Sequence, residues 1–161
     1  RMPAANVGEG CGASPAVEAL RALAAREGAR IVVVCAKLEA ELAELEPQDR
    51  VEMMRELGVA ESALPQVIRR GYALLGLLTF FTTASNLLQA WTVRAGTKAL
   101  QAAGTIHTDF EQKFIRAEVI QVEALLRCGS EANARAQGLL RVEGKDYAVQ
   151  DGDVMHFRIG G

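Results

Sequence analysis

Residues 31–34 read Ile31-Val32-Val33-Val34, four consecutive apolar residues, three of them valines, with no polar alternation. A strand with one wet face alternates. An unbroken β-branched run is stable only where both faces are covered, as in a parallel sheet flanked by helices. The neighbouring sequence fits that setting. Ser14-Pro15 opens a helix with a capping hydroxyl and a proline at the first helical position. Val17, Leu20, Leu23 and Ala24 then form one apolar stripe, and Gly28 supplies the stop. Residues 1–13 are Gly-rich and read as loop. Residues 14–37 thus read as helix, strand and loop, the closing unit of an α/β sheet.

The stretch 38–57 is helical and acidic, with Leu38, Leu42 and Leu45 on one face and a break at Pro47; Gly58 ends its second half. Its acidic residues read as a solvated face, not a metal site. A further helix spans about 63–75, with Leu64, Val67, Ile68 and Leu75 placed inward by their spacing. At Leu77 the pattern changes to strands. Leu78–Thr82 and Leu88–Val93 flank an Ala-Ser-Asn turn and form a hairpin. A helix follows at 99–107, a strand at 114–122, and a helical stretch at 124–137 interrupted near Gly129-Ser130. Short strands are expected at 139–142, 147–149 and 154–159. Trp91, Phe80, Phe81 and Phe110 read as core more readily than as a base-stacking platform.

Composition excludes several classes. The 161 residues carry a net charge of -2, with 9 basic and 11 acidic side chains in residues 1–76 and 9 of each in 77–161. Neither half binds nucleic acid on bulk charge, so any such contact needs a local patch. Arg94, Lys98, His107, Lys113, Arg116 and Lys145 are the candidates for one. No apolar run reaches the roughly 20 residues of a membrane span, so no membrane partner is expected. Cys11, Cys35 and Cys128 are dispersed and odd in number, which predicts reduced thiols and neither a disulfide framework nor a metal centre.

Two short motifs carry chemistry. Asn6-Val7-Gly8-Glu9 has the Asn-x-x-acid spacing that holds a purine in GTPase-type folds: the carboxylate accepts from base N–H groups, and the amide orients the loop and reaches the purine edge. One helix later, Cys35-Ala36-Lys37 follows the buried strand, and a small residue at Ala36 lets backbone N–H groups approach the base. Gly138 and Gly144-Lys145 imitate a phosphate-binding loop. Five residues intervene where that motif has four, and Asp146 replaces its Ser or Thr, so no phosphate loop is present. His107-Thr108-Asp109-Phe110-Glu111 lacks a nucleophile and reads as helix-end capping. No catalytic residue is assigned.

The strings Ile106-His107-Thr108-Asp109-Phe110-Glu111 and Phe114-Ile115-Arg116-Ala117-Glu118-Val119-Ile120 closely resemble the YchF/Obg-like ATPase family. Glu143-Gly144-Lys145-Asp146-Tyr147, Asp151-Gly152-Asp153-Val154-Met155, Ala90-Trp91-Thr92-Val93 and Glu39-Ala40-Glu41-Leu42 extend the likeness from Asn6 to about Phe157. The resemblance implies an α/β unit followed by an α+β unit: residues 1–76 as the C-terminal end of a GTPase-like domain with a helical linker, and 77–161 as a ubiquitin-like β-grasp (TGS) domain. It places the base motif on Asn6 and Glu9 and the base loop on Cys35-Ala36-Lys37. For the intact protein it implies ATP or GTP with Mg2+, hydrolysis, and the ribosome as partner, in the cytoplasm. The Mg2+ and phosphate ligands are not in these residues. The alternative is a non-catalytic ribosome-binding or assembly factor acting through the TGS domain, and a mitochondrial or plastid location if a targeting peptide precedes it. Departures occur at Ser85-Asn86-Leu87-Leu88-Gln89, where relatives carry charges, at Leu100 in place of proline, and at the Arg158-Ile159-Gly160-Gly161 ending. Leu87 reads as packed beneath the hairpin, with docking as the alternative.

Overall fold

The computed structural model describes residues 2–8, 14–84 and 87–160. They form two compact units, 1–75 and 76–161.

In the first unit, β1 (Ala4–Asn6) and β2 (Val32–Val34) pair in parallel, with Ala4 opposite Val32 and Asn6 opposite Val34. Between them runs α1 (Pro15–Arg26), which starts as its sequence dictates: Ser14 Oγ accepts from Val17 N at 3.3 Å, and Pro15 occupies the first turn. Gly28, at φ 63°, ends it in the left-handed region that glycine enters without strain. Val17, Ala24 and Val32 are buried together with Leu42, but Leu23 is 46% exposed and does not join them. Strand β1 was not legible, since Ala4-Ala5-Asn6 offers only three residues and no β-branched member.

Helices α2 (Ala36–Glu44) and α3 (Pro47–Glu56) are separated as Pro47 requires, and α4 (Ala63–Leu75) follows. The Glu39 carboxylate accepts from Ser62 Oγ at 2.6 Å and from Ala63 N at 2.7 Å, so α2 caps the start of α4. The Arg70 guanidinium donates to the Ile31 carbonyl and ties α4 to the entry of β2. The inward assignment along α4 is corrected: Leu64, Ile68 and Leu75 are 62%, 51% and 62% exposed, Val67 is half-buried, and only Ala63 is buried. Helical spacing gathers these residues on one side, but no described element of this unit covers that side.

The second unit holds β3 (Leu77–Ala84), β4 (Leu87–Arg94), α5 (Ala99–Ile106), α6 (Thr108–Gln112), β5 (Phe114–Gln121), α7 (Val122–Cys128), α8 (Glu131–Ala136), β6 (Arg141–Glu143) and β7 (Asp153–Ile159). Its mixed sheet runs β4-β3-β7-β5-β6, with β3 and β7 parallel and the other neighbours antiparallel. One face packs on α5: Leu78, Phe80, Val93, Ala117, Val119, Met155 and Phe157 meet Ala99, Ala102 and Ala103. Alanines there let the helix approach the sheet closely. The opposite face packs on α7 and α8 through Ile120, Val154 and Ala134.

Three local details differ from the sequence reading. The expected helix at 99–107 stops at Ile106, and His107 Nδ1 accepts from Asp109 N at 3.1 Å to cap the additional helix α6. Residues 147–149 are not a strand; only an isolated bridge joins Lys98 to Ala148. Their place is set by Asp153, fully buried, whose carboxylate accepts from Gln121 Nε2 at 2.6 Å, from Tyr147 Oη at 2.8 Å and from Gln150 N at 2.8 Å. Leu87 and Leu88 are 60% and 64% exposed, so neither packs beneath the hairpin.

Candidate base-recognition loops and a basic cluster

In an α/β sheet, loops at the carboxyl ends of adjacent parallel strands converge. Asn6 ends β1 and Val34 ends β2 in direct register, so the residues that follow them are neighbours. Two hydrogen bonds lock them. Val7 N donates to Val34 O at 2.8 Å, and Asn6 Oδ1 accepts from Ala36 N at 3.0 Å. Ala36 is the first residue of α2, whose leading N–H groups have no acceptor within the helix. Cys35 occupies the capping position without a side-chain cap bond, so Asn6 supplies from a separate strand the acceptor that Cys35 does not.

The segment Cys35-Ala36-Lys37 is therefore a helix entry and not an extended loop. Cys35 is half-buried, whereas Ala36 and Lys37 are exposed, and Lys37 Nζ lies 3.8 Å from Glu41. Glu9 and Cys11 fall outside the described residues. Ala36 also borders a groove of about 500 Å³, mostly apolar, between α2, α3 and α4. Among the described residues, no three His, Cys, Asp or Glu side chains are grouped to hold a metal ion, and Cys35 and Cys128 are free thiols.

The basic candidates of the second unit come from several elements. Lys98 and Lys145 are neighbours: Leu100 N donates to Lys145 O, and Lys98 Nζ is paired with Asp146 at 3.0 Å. Arg94 ends β4, and His107 is engaged as a cap. Lys113 lies where β5 begins, its carbonyl accepting from Gly160 N. Arg116 belongs to a different arrangement, which sequence reasoning missed. Arg135 Nη2 and Arg158 Nη2 lie 3.0 and 3.2 Å from Glu118 Oε2, Arg158 Nε lies 3.3 Å from Oε1, and Arg116 Nη2 is 3.9 Å from Oε1. The hydrogen bond from Arg158 holds the Glu118 carboxyl below its ordinary value of 4.5; Arg135 and Arg116 add attraction, and burial opposes them. Strand period gave the available signal, since Arg116, Glu118 and Ile120 share one face of β5.

Comparison with known proteins places the chain among its relatives. The YchF-GTPase_C family, described as a protein of unknown function (DUF933), matches residues 77–160. The ribosome-binding ATPase YchF of Haemophilus influenzae is 51% identical over 158 residues, covering 98% of this chain and 44% of that protein. The Bacillus subtilis protein of the same name is 49% identical, covering 96% and 43%, and human Obg-like ATPase 1 is 44% identical, covering 81% and 33%. The chain thus spans under half the length of these relatives, matching their C-terminal portion. Among solved structures, the Schizosaccharomyces pombe YchF GTPase superposes with a TM-score of 0.83 at 29% identity, covering 96% of this chain and 42% of that one. A GTP binding protein from Pyrococcus horikoshii shares the fold, with a TM-score of 0.64 at 19% identity, covering 99% and 45%. On sequence along nearly its whole length and on the arrangement of its strands, the chain belongs to the YchF/Obg-like ATPase family.

Proposed function

We propose that this chain supplies the purine-recognition end of a ribosome-associated ATP or GTP hydrolase, together with a β-grasp (TGS) domain that meets the ribosome. The observation carrying the first half is the Asn6 Oδ1 to Ala36 N hydrogen bond, which spans thirty residues of sequence and joins the two base-binding segments. With its oxygen engaged, the same amide still carries the donor able to reach a purine edge. Ala36, small and exposed, lets a planar base lie against the helix entry. Val7 and Lys37 flank that position, and Glu9 is the carboxylate that would accept from base N–H groups. Phosphates and Mg2+ would be held by other parts of the intact protein. The bound nucleotide supplies the scissile phosphoanhydride; what these residues do is orient the base.

The second half draws support from strand order. Numbered within the unit, the sheet reads 2-1-5-3-4 with first and last strands parallel at its centre and one helix across a face, the order of a ubiquitin-like grasp. Relatives bearing the name ribosome-binding ATPase support the ribosome as partner; a cytoplasmic location belongs to the same proposal. The non-catalytic alternative is favoured by Leu87 and Leu88, which lie open on the hairpin and suit a docking role. Nucleotide affinity of the full-length protein tests the main reading. Asn6→Ala and Glu9→Ala should each weaken ATP or GTP binding by about tenfold, the equivalent of one charge-assisted or well-aligned hydrogen bond. Unchanged affinity in both variants would refute it.

A further inference from the structure

The sheet face that packs on α7 and α8 is only partly covered. Beyond Ile120 and Val154, its strands carry Glu118 and Arg116 on β5 and His156 and Arg158 on β7. Arg116 stands directly opposite Arg158 in the antiparallel register, and like charges so placed repel. A third guanidinium, Arg135 of α8, arrives from the covering helix. All three are about half exposed, at 52%, 44% and 60%, around one carboxylate that is 9% exposed. Three cations on one anion leave an excess of two positive charges. Lys113 adds another at the same end of the sheet, where its carbonyl holds Gly160. Glu131, four residues before Arg135 on α8, lines the same pocket as Glu118 and accepts from Thr83 Oγ1 at 2.9 Å; counted against Lys113, it leaves the local excess at two.

A fold gains little by setting two arginines against each other across a ladder unless the excess charge meets something. We propose that Arg116, Arg135 and Arg158 form a contact surface for the phosphates of an RNA backbone, with Glu118 as the positioning residue that fixes the three planes. The inference rests on the ribosome-contact reading of this unit and names the groups that make the contact. Guanidinium forks match phosphate oxygens two at a time, and Glu118 engages only part of each fork, so the outward N–H groups are pre-aimed. RNA suits the cluster better than an acidic protein segment, because a polynucleotide presents a closely spaced charge at every residue. The arginines stay positive at every pH of interest, so the contact depends on salt and not on pH.

The test measures binding of the full chain to a fluorescein-labelled single-stranded RNA of mixed sequence, by anisotropy across a salt series. Arg116→Gln should weaken binding about threefold to tenfold and lower the salt slope by about one, while Arg116→Lys should keep the slope. Arg116 is chosen because its contact with Glu118 is the longest of the three, so the fold should persist; Trp91 fluorescence checks that it does. Glu118→Gln raises the net charge, so attraction at a distance alone would tighten binding; loss of positioning loosens it with the slope unchanged, and tightening would overturn that role. Wild-type affinity and slope in Arg116→Gln and in Arg116→Gln/Arg135→Gln, or preference for polyglutamate over RNA, would overturn the surface itself. Ribosome co-sedimentation separates the two readings. Sedimentation untouched by the arginine variants refutes this surface and leaves ribosome contact standing. Arginine-dependent RNA binding without wild-type sedimentation at low salt refutes ribosome contact and supports the surface.

Discussion

Replacing Asp153 separates the contribution of its charge from that of its shape. The side chain is fully buried and accepts three hydrogen bonds, one from the backbone N–H of Gln150 and two from the side chains of Gln121 and Tyr147. Asp153→Ala leaves the Gln150 N–H and the Tyr147 O–H without their acceptor, at about 1–3 kcal/mol each, removes the anion 3.6 Å from Arg141 Nη2, which still donates to Tyr147 Oη, and opens a small void. A loss of about 3–5 kcal/mol is expected. Asp153→Asn keeps the volume, and Gln121 can turn its amide to meet the new NH2, so the cost falls to about 1–2 kcal/mol. Urea unfolding followed by Trp91 fluorescence reads this unit alone, because Trp91 is the only tryptophan and sits on β4, its Nε1 donating to Thr82 Oγ1 at 2.9 Å. The alanine variant should lower the midpoint by roughly 2–3 M, at a slope of about 1–2 kcal/mol/M. Equal effects of the two substitutions, or an alanine cost under about 1 kcal/mol, would show that the network does not hold the 147–150 segment.

Glu39→Ala removes the acceptor for Ser62 Oγ and Ala63 N, costing α4 about 1–2 kcal/mol; limited trypsin digestion should then cut after Arg69 or Arg70 several-fold faster, and an unchanged rate would dismiss the cap. Because Glu118 is held below 4.5, its stabilising contribution is complete above that pH and is lost as pH falls through the lower folded value. An acid titration of Trp91 fluorescence should show Glu118→Gln flattening the decline below pH 4.5 and leaving pH 5–7 alone. Phe80→Ala, at 0% exposure, should cost about 3–5 kcal/mol in urea, whereas Leu87→Ala, 60% exposed, should stay within about 0.5 kcal/mol.

Legibility tracked whether a feature was local. Ser14-Pro15, Pro47, Gly28 and the strand-like runs flanking the hairpin turn act through their immediate neighbours, and the elements they bound formed as read. The spacing along α4 was equally plain, but spacing states only which residues share a side, not whether anything lies against it. Residues 147–149 looked like a strand from composition, yet a carboxylate several positions later draws Tyr147 and Gln150 to itself. At the candidate site, Asn6 and Ala36 were each visible, but a side chain on one strand capping a helix thirty residues away was not. The arginine cluster was hidden most completely, because Arg116, Arg135 and Arg158 come from separate elements and meet only through Glu118.

The strand order of the second unit bears on how it is made. Its opening hairpin emerges first, but the middle of the sheet stays vacant until residues 153–159 arrive about sixty positions after the hairpin ends. Until then Phe80 has no Phe157 to meet, and the hairpin and the β5-β6 pair are separate fragments with raw inner edges. Closure on that final segment is a long-range event, slow by the standards of helical units and exposed to stray pairing while it waits. A stop codon a few residues before Asp153 would therefore not shorten the sheet but split it in two.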